Sequence, residues 1–298
     1  MAGCGGGGGS STPASKPIYV VDSANGRIVK MRDITGAGWS TFGSFGTGNG
    51  QFKNPTSIAF DSKNRIYIAD TGNHRIVRVD DMSGSNFKTL GSLGSGTNQF
   101  TSPQGVAVDS LDRVYIADTG NSRIVRVDDI SGAGWTIYAS PGPGVNQLNQ
   151  PSSLFITSSG IIYIADSSNE RIVRINDLVG TGWITYGQAG TGAGKFTQIT
   201  KVMAGTDNKI YAVDPSQGVI RVDDIAGSNW KLLGQGADVF TGLAMNIDGS
   251  YWVGVKTLSG VDQVRRIADF TGNVTASYGA SGSGQGQFNT ITDVSTGP

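Results

Sequence analysis

The sequence predicts an all-β protein, a six-bladed β-propeller of four-stranded antiparallel blades, and three observations carry that prediction. IYVVD at Ile18, IYIAD at Ile66, VYIAD at Val114, IYIAD at Ile162 and IYAVD at Ile210 recur every 48 residues, and a degraded copy, YWVGV, follows at Tyr251 after 41. A period of about 40 to 50 residues is the length of one propeller blade. Glycine supplies 46 of 298 residues and charged residues only 15%, which suits short strands and tight turns and leaves little material for long helices. The C-terminal QFNTITDVSTGP aligns with QFKNPTSIAFDS, so the chain ends on a first strand that has no second, while Ile18 begins on a second strand that has no first.

Taken in order, residues 1–17 (MAGCGGGGGSSTPASKP) show no apolar periodicity and read as a flexible Gly/Ser-rich tail. Residues 18–298 read as one propeller domain, because the repeat runs through them without a break that could hold a boundary. The second repeat shows the unit. Thr56 to Phe60, Arg65 to Ala69, Arg75 to Val79 and Phe87 to Leu90 are apolar or β-branched runs separated by Gly, Asn, Asp and Ser. Near-continuous apolar runs such as IYIA fit inner strands covered on both faces by neighbouring blades, and the shorter, more polar fourth run fits an outer edge. The C-terminal strand is expected to become the innermost strand of the N-terminal blade, closing the ring. The tail then leaves from the face opposite the loops that lead into the innermost strands.

The recurring polar and aromatic residues read as architecture. Asp22, Asp70, Asp118, Asp166 and Asp214 stand where a carboxylate can accept backbone N–H groups in a turn, as in DTGN at Asp70 to Asn73. Arg78, Arg126, Arg174, Arg221 and Arg266 share one register, with Lys30 in the first blade, and suit ion pairs to nearby turns such as Asp80 to Asp81. Trp39, Phe87, Trp135, Trp183 and Trp230 look like wedges between blades. The GNGQF, GAGKF and GQGQF segments carry Phe52, Phe100, Phe196 and Phe288 in register, with Leu148 substituting once. GAGKF is not a phosphate loop, because Ala189 occupies the position of its first glycine and Phe196 that of its Ser or Thr.

The segments NHRI at Asn73, NSRI at Asn121 and NERI at Asn169, each following IYIAD or VYIAD and a short turn, closely resemble the NHL repeat. The resemblance covers the chain after its tail and implies a six-bladed ring. It also implies a range of roles: protein-binding platform, RNA-binding domain, sensor domain or, in some relatives, enzyme. Lys plus Arg equals Asp plus Glu at 23 each, so no global field draws the ring to nucleic acid. The chain has one histidine, His74, and one cysteine, Cys4, which rules out an intrachain disulfide or a multi-histidine centre within one chain. The polar positions of the innermost strands, Ser57, Gln104, Lys201 and Asp293, form no carboxylate cluster of the kind a calcium or magnesium site needs.

These readings lead to the expectation of a monomeric, non-catalytic interaction or ligand-binding ring without cofactor or metal. Its partner would be a protein, peptide or glycan, read where the repeat breaks. The candidate residues are His74, Gln104, Glu170, Gln198, Lys256 and Asp262, on the face where the innermost strands begin. The alternative is a lyase or hydrolase with a small molecule, and possibly a divalent cation, in the central funnel. In the tail, Ala2, Gly3 and Cys4 followed by glycine and serine resemble the cleavage box and tether of a bacterial lipoprotein. That resemblance implies lipidation at Cys4 and a place in the bacterial cell envelope or outside the cell; the alternative is that Met1 is the native start, Cys4 an incidental thiol and the protein cytoplasmic. No hydrophobic stretch reaches the ~18 residues of a membrane span, so the lipid would be the only route to a membrane.

Overall fold

The structure, a computed structural model, describes residues 16–234 and 238–297. Cys4 and most of the predicted tail lie outside the described residues. Within them the chain forms six four-stranded antiparallel sheets set around a central channel. Blade 2 consists of Pro55–Phe60, Ile66–Asp70, Arg75–Val79 and Lys88–Leu90, from the channel outward. Its outermost strand starts after Phe87 because Asn86, at φ 53°, turns the chain there and Phe87 lies against the Arg75 guanidinium instead. Blades 3 to 6 begin with Gly105–Val108, Pro151–Ile156, Lys201–Ala204 and Val239–Met245.

Blade 1 is made from both ends of the chain. Ile18–Asp22, Arg27–Met31 and Ser40–Phe42 are joined on the channel side by Ile291–Thr296. Ile18 pairs with Thr296 and Val20 with Val294, antiparallel, and the Gly297 N–H donates to the Pro17 carbonyl at 2.8 Å. The ring is therefore closed in the register that the sequence predicts. Pro17 lies beside the end of the innermost strand, on what we call the bottom face; the top face is where innermost strands begin.

The core sits between blades. The second and third strands bury nearly every side chain, which is why IYIAD and RIVRV contain so little polar surface. Phe52, Phe100, Leu148, Phe196 and Phe288 are fully buried where one blade leads into the next. Glycines make room for these side chains: a Cβ at Gly187, φ 110°, would lie 2.4 Å from the Phe196 ring. Short parallel pairings such as Ser44–Phe45 with Gln51–Phe52 hold this connection. Between blades 5 and 6 no such pairing occurs among the described residues, and Phe240 fills the aromatic position beside Gly234. Gly187 and Val202 are 15 positions apart, but their counterparts Gly234 and Leu243 only 9. This shortened connection accounts for most of the 41-residue interval, with Asp214 to Gly218 contributing the rest.

Candidate functional site

Most of the conspicuous charged groups hold the ring together. Asp118 is fully buried. Its Oδ1 accepts the Thr101 N–H at 2.8 Å, and its Oδ2 accepts Asn121 Nδ2 at 2.8 Å and Arg123 Nε at 2.7 Å. The remaining nitrogens of Arg123 donate to the carbonyls of Ser95, Gly96 and Gln99 in the preceding glycine-rich loop. The guanidinium also stacks over Trp135, 5.7 Å from the ring centroid. Asp22–Asn25–Arg27, Asp70–Asn73–Arg75 and Asp166–Asn169–Arg171 repeat the arrangement. Burial pushes these aspartates above the ordinary carboxylate range against the opposing pull of their donors.

The arginine of NHRI, as Arg27, Arg75, Arg123 and Arg171, is therefore the pin of four interblade loops, a role that the sequence assigned to no residue; Gln217 takes it over in the loop from blade 4 to blade 5. Arg78, Arg126 and Arg221, which it did single out, pair with Asp80, Asp128 and Asp223 at 2.6, 3.7 and 3.4 Å. Arg123→Ala is expected to lower the unfolding free energy by about 3–5 kcal/mol, because Asp118 would be left buried without its cation. Arg123→Lys should recover little of it, since an ammonium cannot reproduce the fork of bonds. Urea unfolding followed by circular dichroism reads both variants.

The channel is crossed near the top by the Lys201–Asp293 ion pair, whose carboxylate is 2% exposed. Burial pushes the Asp293 carboxyl up, and Lys201 opposes the shift. Below the pair lies a cavity of about 280 Å³ lined by Phe60, Val108, Phe155 and Met203 together with Ser57, Ser153, Ser295 and Thr296. Among the described residues, no three His, Cys, Asp or Glu side chains are grouped to hold a metal ion.

The six candidate side chains separate into two groups. His74 and Asp262 share one register after the second strand with Ser122, which is not one of the six, and all three accept backbone N–H groups from the next blade: His74 Nδ1 from Ser102 at 3.0 Å, Ser122 Oγ from Gln150 at 3.1 Å, Asp262 Oδ2 from Thr290 at 3.0 Å. Asp262 is buried, and Lys256 lies 3.9 Å from it with its own side chain about half exposed. These residues stitch blades together. Gln104, Glu170 and Gln198 instead line one cavity of about 270 Å³ on the top face, between blades 3, 4 and 5. The hydroxyls around them are engaged: Thr119 donates to the Pro151 carbonyl at 2.7 Å, and Ser152 and Ser167 donate to the Ile199 carbonyl. Ser168 donates to Gln150 Oε1 at 3.1 Å.

The NHL repeat family matches residues 52–79 and 100–126, so the chain carries NHL repeats. No curated protein matches the chain. Among solved structures, a chain of a nidogen/laminin complex superposes with a TM-score of 0.71 at 14% identity, covering 95% of this chain and 98% of that one. Virginiamycin B lyase from Staphylococcus aureus, in a catalytically inactive histidine-to-alanine form with quinupristin, gives 0.57 at 14% identity over 89% of each chain. YCF48 bound to D1 peptide gives 0.54 at 14% identity, over 86% of this chain and 79% of that one. At such identities the likeness is one of fold, and function has to be argued from the site.

Proposed function

We propose that this NHL-repeat propeller is a non-catalytic interaction module that holds a protein or peptide partner on its top face, displayed outside the cytoplasm on a lipid attached to Cys4. One observation carries the reading. The polar groups that recur around the ring are consumed in holding blades together, and Gln104, Glu170 and Gln198 are the candidate side chains that gather in a top-face cavity without such duties. Two superposable rings, in the nidogen/laminin complex and in YCF48 with D1 peptide, come from complexes with polypeptides. The single histidine is engaged by the Ser102 N–H, which argues against the lyase or hydrolase alternative. Pro17 at the bottom face suits a tether that points the top face outward.

A photo-crosslinking amino acid placed at Gln198, on the top face, is expected to capture another protein in cells. The same group at Val179, exposed in the turn between the third and outer strands of blade 4, should not. Capture from Val179 alone, or turnover of a lactone by the purified ring, would overturn the reading. The tether has its own measurement: the mass of the native protein should show an acylated Cys4 at its N-terminus, and an unmodified Cys4 behind an intact Met1 would refute it.

A further inference from the structure

We infer that the top-face cavity between blades 3, 4 and 5 is a receptor for a primary ammonium group presented by a polypeptide, with Glu170 as its counter-ion and the carboxamides of Gln104 and Gln198 as its hydrogen-bonding walls. The inference rests on the interaction reading above and names the chemistry that the surface selects. Across the junctions from blade 2 to 3, 3 to 4 and 6 to 1, the same construction recurs. Ser102, Gln150 and Thr290 adopt left-handed backbone angles, φ 48°, 50° and 63°, and turn their N–H groups onto the side chains of His74, Ser122 and Asp262.

The junction from blade 4 to blade 5 departs from this pattern. Gln198 occupies the corresponding position but is not among the residues with positive φ, and its N–H is directed at Asp214 Oδ2, 3.4 Å away. Glu170 occupies the register of His74 and Ser122 and, like them, adopts a left-handed angle, φ 47°. Its backbone keeps the family geometry, while its carboxylate has lost the N–H that its counterparts receive. Among the described residues the Glu170 carboxylate has no hydrogen bond or ion pair, and neither does the side-chain amide of Gln104 or Gln198.

These three side chains meet in one half-enclosed cavity of about 270 Å³. Glu170 is partly withdrawn from solvent, where an ionised carboxylate gains most from a cation that also donates hydrogen bonds. The chemistry of the walls narrows the ligand. One negative charge calls for one positive charge, and the cavity holds no second acid to bind a divalent metal. Carboxamides both donate and accept, so they pair with a peptide group as readily as water does. Ser152, Ser167 and Thr119 have already given their protons to main-chain carbonyls, leaving few donors for the many hydroxyls of a sugar. A primary ammonium next to a peptide group satisfies the whole set. That group is either the N-terminus of a chain or a lysine side chain.

Four probes separate these sources on the full-length protein, followed by 15N-edited NMR of backbone and Gln side-chain amides. Triglycine offers a free N-terminus, Nα-acetyl-lysine amide a free side-chain ammonium, Nα-acetyl-triglycine neither, and glucosamine an ammonium on a sugar. The expected result is saturable, millimolar binding of one or both of the first two, with the largest shifts at the Gln104 and Gln198 side chains and none with acetyl-triglycine. Glu170→Gln should weaken that binding about tenfold, His74→Ala should leave it unchanged, and the unperturbed amide spectrum of each variant reports that the ring is folded. Equal binding by Glu170→Gln, or tighter binding of glucosamine than of either peptide probe, would overturn the inference. If no probe perturbs this cavity while the Gln198 crosslinker still captures a protein, the ammonium receptor is refuted and the interaction reading stands. If the crosslinker captures nothing while the probes bind, the reverse holds.

Discussion

Deletion of residues 291–298 is expected to abolish the cooperative thermal transition of the ring. Those residues include the innermost strand of blade 1, and the backbone pairs from Ile18 with Thr296 to Asp22 with Ile291 disappear with them. Ile291 and Val294 are fully buried, and so are Ile18 and Val20, which the deletion would uncover. At about 1.5–3 kcal/mol for each large apolar side chain, these four alone represent on the order of 10 kcal/mol, comparable to the whole stability of an ordinary domain. The ladder bonds and the opened faces toward blades 2 and 6 add to the loss. Differential scanning calorimetry of the truncated chain should show no transition like that of the full-length protein, and a synthetic peptide of the deleted strand should restore part of it. A truncated chain that melts within a few degrees of the parent would refute closure by this strand.

The closure was legible because it follows from counting: a ring of repeats whose chain starts on a second strand must find its missing first strand at the other end. The blade boundaries, the turn aspartates and the interblade aromatics were legible for a related reason, since a side chain that returns in every blade is answering a demand that every blade makes. What could not be read was which partner each side chain meets. RIVR places two arginines in the third strands of blades 2, 3 and 4, and nothing in their spacing says that the first, as in Arg123, spans two blades through four acceptor residues while the second, as in Arg126, pairs locally with Asp128. His74 and Glu170 looked equivalent as variable turn residues. One is a stitch and the other is unengaged, and the difference arises from the backbone angle of Gln198 in another blade. The replacement of Pro55, Pro103 and Pro151 by Ile199 was a visible signal there, but Ile291 makes the same replacement while Thr290 keeps its left-handed turn. Sequence located the region of departure, and only the fold could say which side chains the departure released.

The Lys201–Asp293 pair yields the second large effect. Both residues stand at the channel-facing position filled by Ser57, Gly105, Ser153 and Gly242 in the other blades, and the pair reaches from blade 5 to blade 1 past blade 6. Gly242 in between allows the closing strand to approach, since a Cβ there would lie 2.7 Å from the Val294 nitrogen. Blade 6 is also the one entered by the shortened connection, so the pair bridges the stretch of ring with the least support from loops. Asp293→Ala should cost about 3–5 kcal/mol, because it leaves the Lys201 ammonium, whose side chain is only 19% exposed, without its counter-ion, and should lower the Tm by roughly 10 °C for a domain of this size. Lys201→Met combined with Asp293→Leu removes both charges while keeping the length of one side chain and the branching of the other, and it should recover most of the loss, short of the hydrogen bond that Asp293 Oδ2 accepts from the Ile58 N–H at 3.3 Å. Urea unfolding of the four members of this cycle gives the coupling energy directly. A single variant as stable as the parent would show that solvent reaches the pair. A double variant as unstable as Asp293→Ala would show that these positions need their charges for something besides holding the ring closed.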